Sequence, residues 1–214
     1  MEKDKVEDVK RKNIIEMAIG FTVMMRVFRK ASIDPIKTKL TDFLFNGIES
    51  VTTKESFDRI HNEFCEWFVK NISMAKKDES ASYGHAAKLL DIVLKVYVYY
   101  CNLPNPERAR FILPYLNSGI DNPIFRNLYN KFLKDGGYKS DDIYPYFPAF
   151  YKALLENNLS LRDILSLTSI LNKGVYDFLQ MLIRLDIARS FNDQILPVQY
   201  DDIMWRRLNR EDDD

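Results

Sequence analysis

Residues 86–101 read AAKLLDIVLKVYVYYC, and the fold turns on them. Wound at 3.6 residues per turn, Leu89, Leu90, Ile92, Val93, Leu94, Val96 and Val98 cover every side of a helix. A helix that is apolar all round belongs in the middle of a protein. The stretch therefore predicts a central buried helix from about Gly84 to Cys101. Asp91 and Lys95 interrupt it, and it is too short to span a bilayer.

Outward from this core the pattern stays helical. Ile14, Ala18, Phe21, Met25 and Phe28 recur at three- and four-residue spacing, which predicts a first helix from Val6 to Arg29. Ile33-Asp34-Pro35 should break it, with a second helix over 37–47. Thr52 and Glu55 read as a capping box opening a helix to about Ile72, with Phe57, Ile60, Phe64 and Phe68 on its buried face. Residues 74–83, MAKKDESASY, read as a loop. Past the loop containing Pro104, Pro106 and Pro114, Asp121-Asn122-Pro123 should open a helix ending at Asp135-Gly-Gly137. Further helices are expected near 145–157, 160–171, 175–191 and 201–209. No alternating stretch bounded by hairpin dipeptides suggests a sheet. The expectation is an all-α fold over residues 1–214. It is either one unit or two interleaved helical subdomains beside a cleft, roughly 1–80 plus the C-terminal helices, and 81–190.

Composition narrows the chemistry. Seven glycines and eight prolines are few for 214 residues, as long helices require, and a 46% hydrophobic content excludes a disordered chain. Two cysteines, Cys65 and Cys101, and two histidines, His61 and His85, cannot build a disulfide framework, a four-cysteine cluster or a multi-histidine metal site. No metal or other cofactor is expected. The 31 basic and 31 acidic residues balance, so any basic surface must be local. The charged start, MEKDKVEDVKRKN, does not read as a signal peptide. A soluble, cytoplasmic protein away from membranes, acting as a monomer, is the expectation.

Three places could carry chemistry. Lys88 falls near the start of the buried helix; it either snorkels to the surface or sits where burial and the helix N-terminus disfavour an ammonium, leaving the amine nucleophilic. Asp121 reads as an N-cap, a role that also fixes the direction of a carboxylate able to take a proton or stabilise a cation. Asp201 and Trp205 are four apart and share a helix face. They are either a cap and an anchor of the last helix, or a pocket wall with an indole to stack on a ring and a carboxylate to accept ring N–H groups.

In order, these residues resemble the helix-hairpin-helix DNA glycosylase superfamily, and most of all its archaeal 8-oxoguanine branch. The segment SASYGHAAK leads into Lys88, with Lys95 seven residues on and an aromatic-rich end. Gly-Ile-Asp121 opens another helix, and Leu-Pro-x-x-x-Asp201-x-x-x-Trp205 comes near the end. The resemblance covers roughly residues 80–210. It departs at the hairpin, where Gly84 stands nearly alone, and at Gly119-Ile120, where the family usually has Pro-Val or a similar pair.

The resemblance implies a nucleophile at Lys88 assisted by Asp121, and a flipped-base pocket lined by Asp201 and Trp205, with Trp67 and Tyr83 as further base contacts. Tyr97, Tyr99 and Tyr100 read as core aromatics first. Contacts to duplex DNA are implied for the hairpin residues Ser82, Gly84 and His85, helped by Lys76, Lys77 and Arg206 and by Arg108, Arg110, Arg207 and Arg210, which otherwise form ordinary solvated faces. The implied activity is base excision, in repair or in defence against modified foreign DNA, with or without a Schiff-base lyase step. The alternative is a non-catalytic DNA- or protein-binding module of the same fold.

Overall fold

The computed structural model describes residues 2–21, 23–76, 79–133, 152, 155–156 and 170–210. The fold is all-α. The only β contacts among the described residues are two isolated antiparallel bridges, Phe28 with Met74 and Ser73 with Ser80. No helix among them is long and apolar enough to cross a membrane. The expected helices near 145–157 and 160–171, the expected stop at Asp135-Gly-Gly137 and Lys77 lie outside the described residues, apart from isolated positions. The chain divides into two units, residues 1–81 with 85–116, and residues 82–84 with 117–214. The C-terminal helices therefore join 117–133, and the buried helix joins the N-terminal residues, a different partition from the expected one.

In the first unit, helix α1 (Glu2–Phe21) ends earlier than its apolar stripe predicts. A 3-10 turn, Val23–Val27, follows. Phe28 leaves the helical path to bury edge-on against Phe68, with ring centroids 5.3 Å apart. Backbone bonds from Arg29 N–H to the Ser73 carbonyl and from Ala75 N–H to the Val27 carbonyl hold it there. Helix α2 (Lys30–Asp42) contains Pro35, so the expected break at that residue is overturned. Near a helix start the missing N–H forfeits a single ladder bond, and buried Ile36 and Leu40 carry the helix past it. The helical path continues through a π turn, Phe43–Gly47, to Ser50.

Helix α3 (Lys54–Asn71) opens on a capping box one residue later than predicted. The Thr53 hydroxyl accepts from the Ser56 N–H, and the Ser56 hydroxyl accepts from the Thr53 N–H. Phe57, Phe64 and Phe68 are buried, as the periodicity requires. The predicted central helix is α4 (Tyr83–Leu94), continued by a π segment, Lys95–Tyr100. Ala86, Ala87, Leu89, Leu90, Val93 and Leu94 are all buried. Helix α5 (Pro106–Ile112) is capped by Asn105, and the Arg108 guanidinium donates to the carbonyls of Ile48 and Glu49 at 2.7 and 2.9 Å and to that of Val51. One arginine thus satisfies the carbonyls left open where the α2 path ends.

The second unit contains α6 (Asn122–Leu128) with its π extension Tyr129–Leu133, α7 (Lys173–Phe191) and α8 (Pro197–Arg210). Helix α7 stops at Asn192, whose φ of 49° is left-handed and which, with Asp193 at 57°, turns the chain. Helix α8 starts four residues before its predicted position because Pro197 supplies the pre-set φ of a first helical residue. Gln199 accepts the Leu196 N–H at 2.8 Å.

Candidate functional site

The approach to Asp121 has no regular secondary structure and is buried over Asn117, Ser118, Gly119 and Ile120. Such a segment needs partners for its peptide groups. Gln180 of α7 supplies them, taking the Ser118 N–H at 3.2 Å and donating to the Ser118 carbonyl at 2.8 Å. Arg184, one turn on, donates to the Asn117 side chain at 3.0 Å. The chain is therefore pinned to α7 just before it turns into α6. Asp121 is the N-cap, as predicted, and one carboxylate oxygen accepts the Ile124 N–H at 3.1 Å. The side chain is half-buried with its direction fixed.

Around Asp121 lies an open cavity of about 360 Å³, lined among the described residues by Asp121, Asp201, Asp202, Trp205 and Arg206. All five belong to the second unit. Residues 80 positions apart in the chain thus meet at one hollow. The two bland expectations for the last helix fail. Asp201 is the fifth residue of α8 and not its cap, because Pro197 starts the helix. Trp205 is 59% exposed and so does not anchor the helix in the core. Both instead face the cavity, together with Arg206. Asp202 was not singled out from the sequence; its signal was the doubled carboxylate, with Arg206 four residues later.

A second arrangement holds the cavity's walls. Asp186 of α7 is buried and accepts from Tyr200 Oη at 2.6 Å, Ser190 Oγ at 2.7 Å and Lys131 Nζ at 3.0 Å to each oxygen. Asn127 donates to Tyr200 Oη at 2.9 Å. Three helices, α6, α7 and α8, therefore share one carboxylate, and Tyr200 is the neighbour of Asp201. Burial pushes the Asp186 carboxyl up, but the bonds from Tyr200, Ser190 and Lys131 outweigh it and hold the group below the ordinary aspartate value. The Tyr200 phenol is raised by burial and by that same bond.

Other residues named from the sequence lie elsewhere. Lys88 is half-buried and is the sixth residue of α4, so it sits in the second turn. That is past the reach of the N-terminal dipole, so the helix start does not disfavour its ammonium as expected. It belongs to the first unit, as do Trp67, Lys76 and His85. Tyr83, the last residue of the expected loop, and Gly84 and His85, for which the resemblance implies hairpin contacts to DNA, form the first turn of α4 and are buried. The Gly84 N–H donates to the Ile170 carbonyl at 3.0 Å, which occupies the group expected to meet a phosphate. Tyr83 packs on Tyr176 with centroids 5.8 Å apart. His85 lies edge-on to Phe28, and burial lowers its pKa. Ser82 is half-buried, just ahead of the helix. Trp67 leans on Phe64, with the Lys39 ammonium 5.8 Å from its ring. Lys76 is exposed and paired with Glu79 at 2.9 Å.

The sequence also gave no warning of a buried trio in the first unit. His61 Nε2 lies 3.0 Å from Asp91, and its Nδ1 lies 3.8 Å from the Cys65 sulfur. The i, i+4 spacing of His61 and Cys65 and the lone aspartate in an apolar helix were the available signals. Among the described residues no group of three or more His, Cys, Asp or Glu side chains is placed to hold a metal ion. No protein-family profile, curated protein or solved structure matches this chain.

Proposed function

We propose that the cavity at Asp121 is the base pocket of a DNA glycosylase, the activity implied by the sequence resemblance. The observation that supports it most is the meeting of Asp121, Asp201 and Trp205 around one hollow. The order of residues in the sequence singles out the same three.

In this reading the target nucleotide leaves the duplex at an unstacking cost of a few kcal/mol. Stacking on the Trp205 indole and bonds from ring N–H groups to Asp201 offset that cost. When the glycosidic C1′–N bond breaks, its electron pair leaves with the base and positive charge grows on the sugar. Asp121, held by its own helix cap, stabilises that charge and takes a proton from the attacking water. That proton passes on to the departed base, so the products are the free base and an abasic site. The lyase variant of this reading adds condensation of the Lys88 amine with the C1′ aldehyde of the abasic site, with loss of water, to give a Schiff base. Arg206 and the exposed basic residues of α8 would bear on the DNA backbone. An intracellular, cytoplasmic monomer acting in repair or in defence against modified DNA goes with this reading.

The test is base release from a panel of modified duplexes, read by mass spectrometry. Asp121→Asn separates chemistry from folding, because asparagine caps a helix as well as aspartate does. Stability should stay within about 0.5 kcal/mol of the parent while release falls by a factor of about a hundred or more. Borohydride trapping that disappears in Lys88→Gln would establish the lyase step; release without trapping would mean a plain hydrolase.

The burial of Tyr83, Gly84 and His85 in the first turn of α4 favours one other reading, a non-catalytic DNA- or protein-binding module. It predicts no base release and no trapping on any duplex.

A further inference from the structure

Helix α1 carries apolar side chains on two opposite faces. Ile15, Ala18 and Ile19 are buried in the first unit. On the other side Val6, Val9 and Met17 stand 68%, 56% and 59% exposed. Asn13 and Gly20 are exposed there too. Wound at about 100° per residue, these five positions form one stripe along the helix. Apolar side chains scattered singly over a surface are ordinary, but a continuous stripe opposite the buried face points to a partner.

The stripe is its own mate. Its steps are three, four, four and three residues, an order that reads the same in both directions. A two-fold axis across the helix at Asn13 therefore sets Val6 level with Gly20 of the second copy, Val9 with its Met17, and Asn13 with its Asn13. Each match suits the groups. Chain neighbours aside, no heavy atom lies within 4 Å of the place where a side chain on Gly20 would begin, so the Val6 methyl groups have room. Val9 and Met17 cover each other's apolar surface. A carboxamide both donates and accepts, so two Asn13 side chains can satisfy one another across the axis, and an asparagine in an apolar seam fixes its register. Charge agrees. The antiparallel arrangement brings exposed Lys12 onto the same flank as exposed Glu16 of the second copy, about 3 Å apart along the helix. Glu16 also meets Lys37 at 3.6 Å within its own chain, so two lysines share one carboxylate. A parallel pair sets like residues level and loses the match between Lys12 and Glu16.

We propose that the exposed stripe of α1 pairs antiparallel with the same stripe of a second copy of this chain, about a two-fold axis at Asn13. The seam is only about 21 Å long, below the size of a permanent interface, so the dissociation constant is on the order of 50 μM. At the dilution of an enzyme assay the chain is then a monomer, and the pairing does not rest on the glycosylase reading.

The experiment is sedimentation equilibrium of the full chain from about 5 to about 500 μM. The mean mass should climb from that of one chain most of the way to that of two. Val9→Glu puts a charge beside Met17 and Glu16 of the second copy. It should weaken association by a factor of about ten or more and leave the circular dichroism spectrum unchanged. Air oxidation in a Cys101→Ser background reads the direction of pairing, because the remaining native cysteine, Cys65, is buried. Asn13→Cys should link to itself through a disulfide, since the two positions face each other across the axis. Val6→Cys should not, because its copy lies about 21 Å away along the pair. Val6→Cys mixed with Gly20→Cys should link. A mass fixed at one chain over the whole range overturns the proposal. So does association unchanged by Val9→Glu, or Val6→Cys linking to itself as fast as Asn13→Cys.

Discussion

Among the described residues each unit buries one aspartate in its helical core, and the two are treated in opposite ways. Asp91 in the first unit meets the ring of His61 beside the Cys65 sulfur, with both carboxylate and imidazole almost fully inaccessible. Asp186 in the second unit is held by a phenol, a hydroxyl, an amide and a lysine that reaches it from the surface. Burial alone would push the His61 pKa down. The Cys65 sulfur and the bond and charge of Asp91 outweigh it, and the value stands at about 10. The first arrangement thus depends on a proton that alkali removes. The second depends on a carboxylate charge that acid removes. One protein should therefore lose its two units at opposite ends of the pH scale.

The largest expected effect follows from the first pair. His61→Leu leaves the Asp91 carboxylate in an apolar helix without the imidazole, a break that costs about 3–5 kcal/mol. His61→Leu with Asp91→Leu should recover most of that loss, since two apolar groups replace two polar ones. In the parent, the folded value of His61 lies above its ordinary 6.5. Its contribution is therefore whole below about pH 6.5 and disappears as pH climbs through about 10. Urea melts between pH 6 and 10.5 should show this slope in the parent and a flatter one in the double variant. Hydrogen exchange locates the damage: α3 and α4 should lose protection. Equal loss in α6 to α8 would break the comparison, because the two networks would then not be local to their units.

The same contrast explains how much was legible in the sequence. Apolar periodicity depends on a face repeated over several turns, so α3, α4 and α7 could be read directly, as could the cap at Asp121, which needs only a local preference. The break at Pro35 was misread because position within the helix decides what a proline costs, and the start of that helix has no cap to mark it. The cavity was half legible. Asp201 and Trp205 share a face by spacing alone, but their meeting with Asp121 depends on Tyr200, Asp186 and Asn127, which are far apart in the chain. Tertiary polar networks leave no period. Neither the His61 trio nor the Asp186 hub could be inferred, although each placed a polar residue where an apolar one was expected.

A smaller effect is expected from Tyr200→Phe. The ring remains to fill its buried site, so only the bonds to Asp186 and Asn127 are lost. A hydrogen bond to a charged group is worth about 1.5–3 kcal/mol. The Asp186 carboxyl is held below 3.8, so its contribution is present above that pH and lost as pH falls through the depressed native value. Removing the phenol raises that native value. Acid melts of Tyr200→Phe should therefore begin at higher pH than those of the parent, with lost protection in α6 to α8. An acid limb that stays put would mean that Tyr200 does not govern the Asp186 charge.

Lys131→Met should have the smallest effect, and it separates two causes that the hub combines. The ammonium reaches both Asp186 oxygens at 3.0 Å, yet the lysine side chain is 39% exposed. Water and salt screen it, so its loss should cost no more than about 1 kcal/mol. The phenol and the Ser190 hydroxyl remain in place and are not screened in the same way. Raising salt should therefore weaken the parent toward the Lys131→Met level and leave the variant almost unmoved. A parent insensitive to salt would mean that the neutral donors alone hold the carboxylate. Asp186 would then contrast still more sharply with Asp91, as an anion kept in a helical core by hydroxyls instead of by an opposite charge.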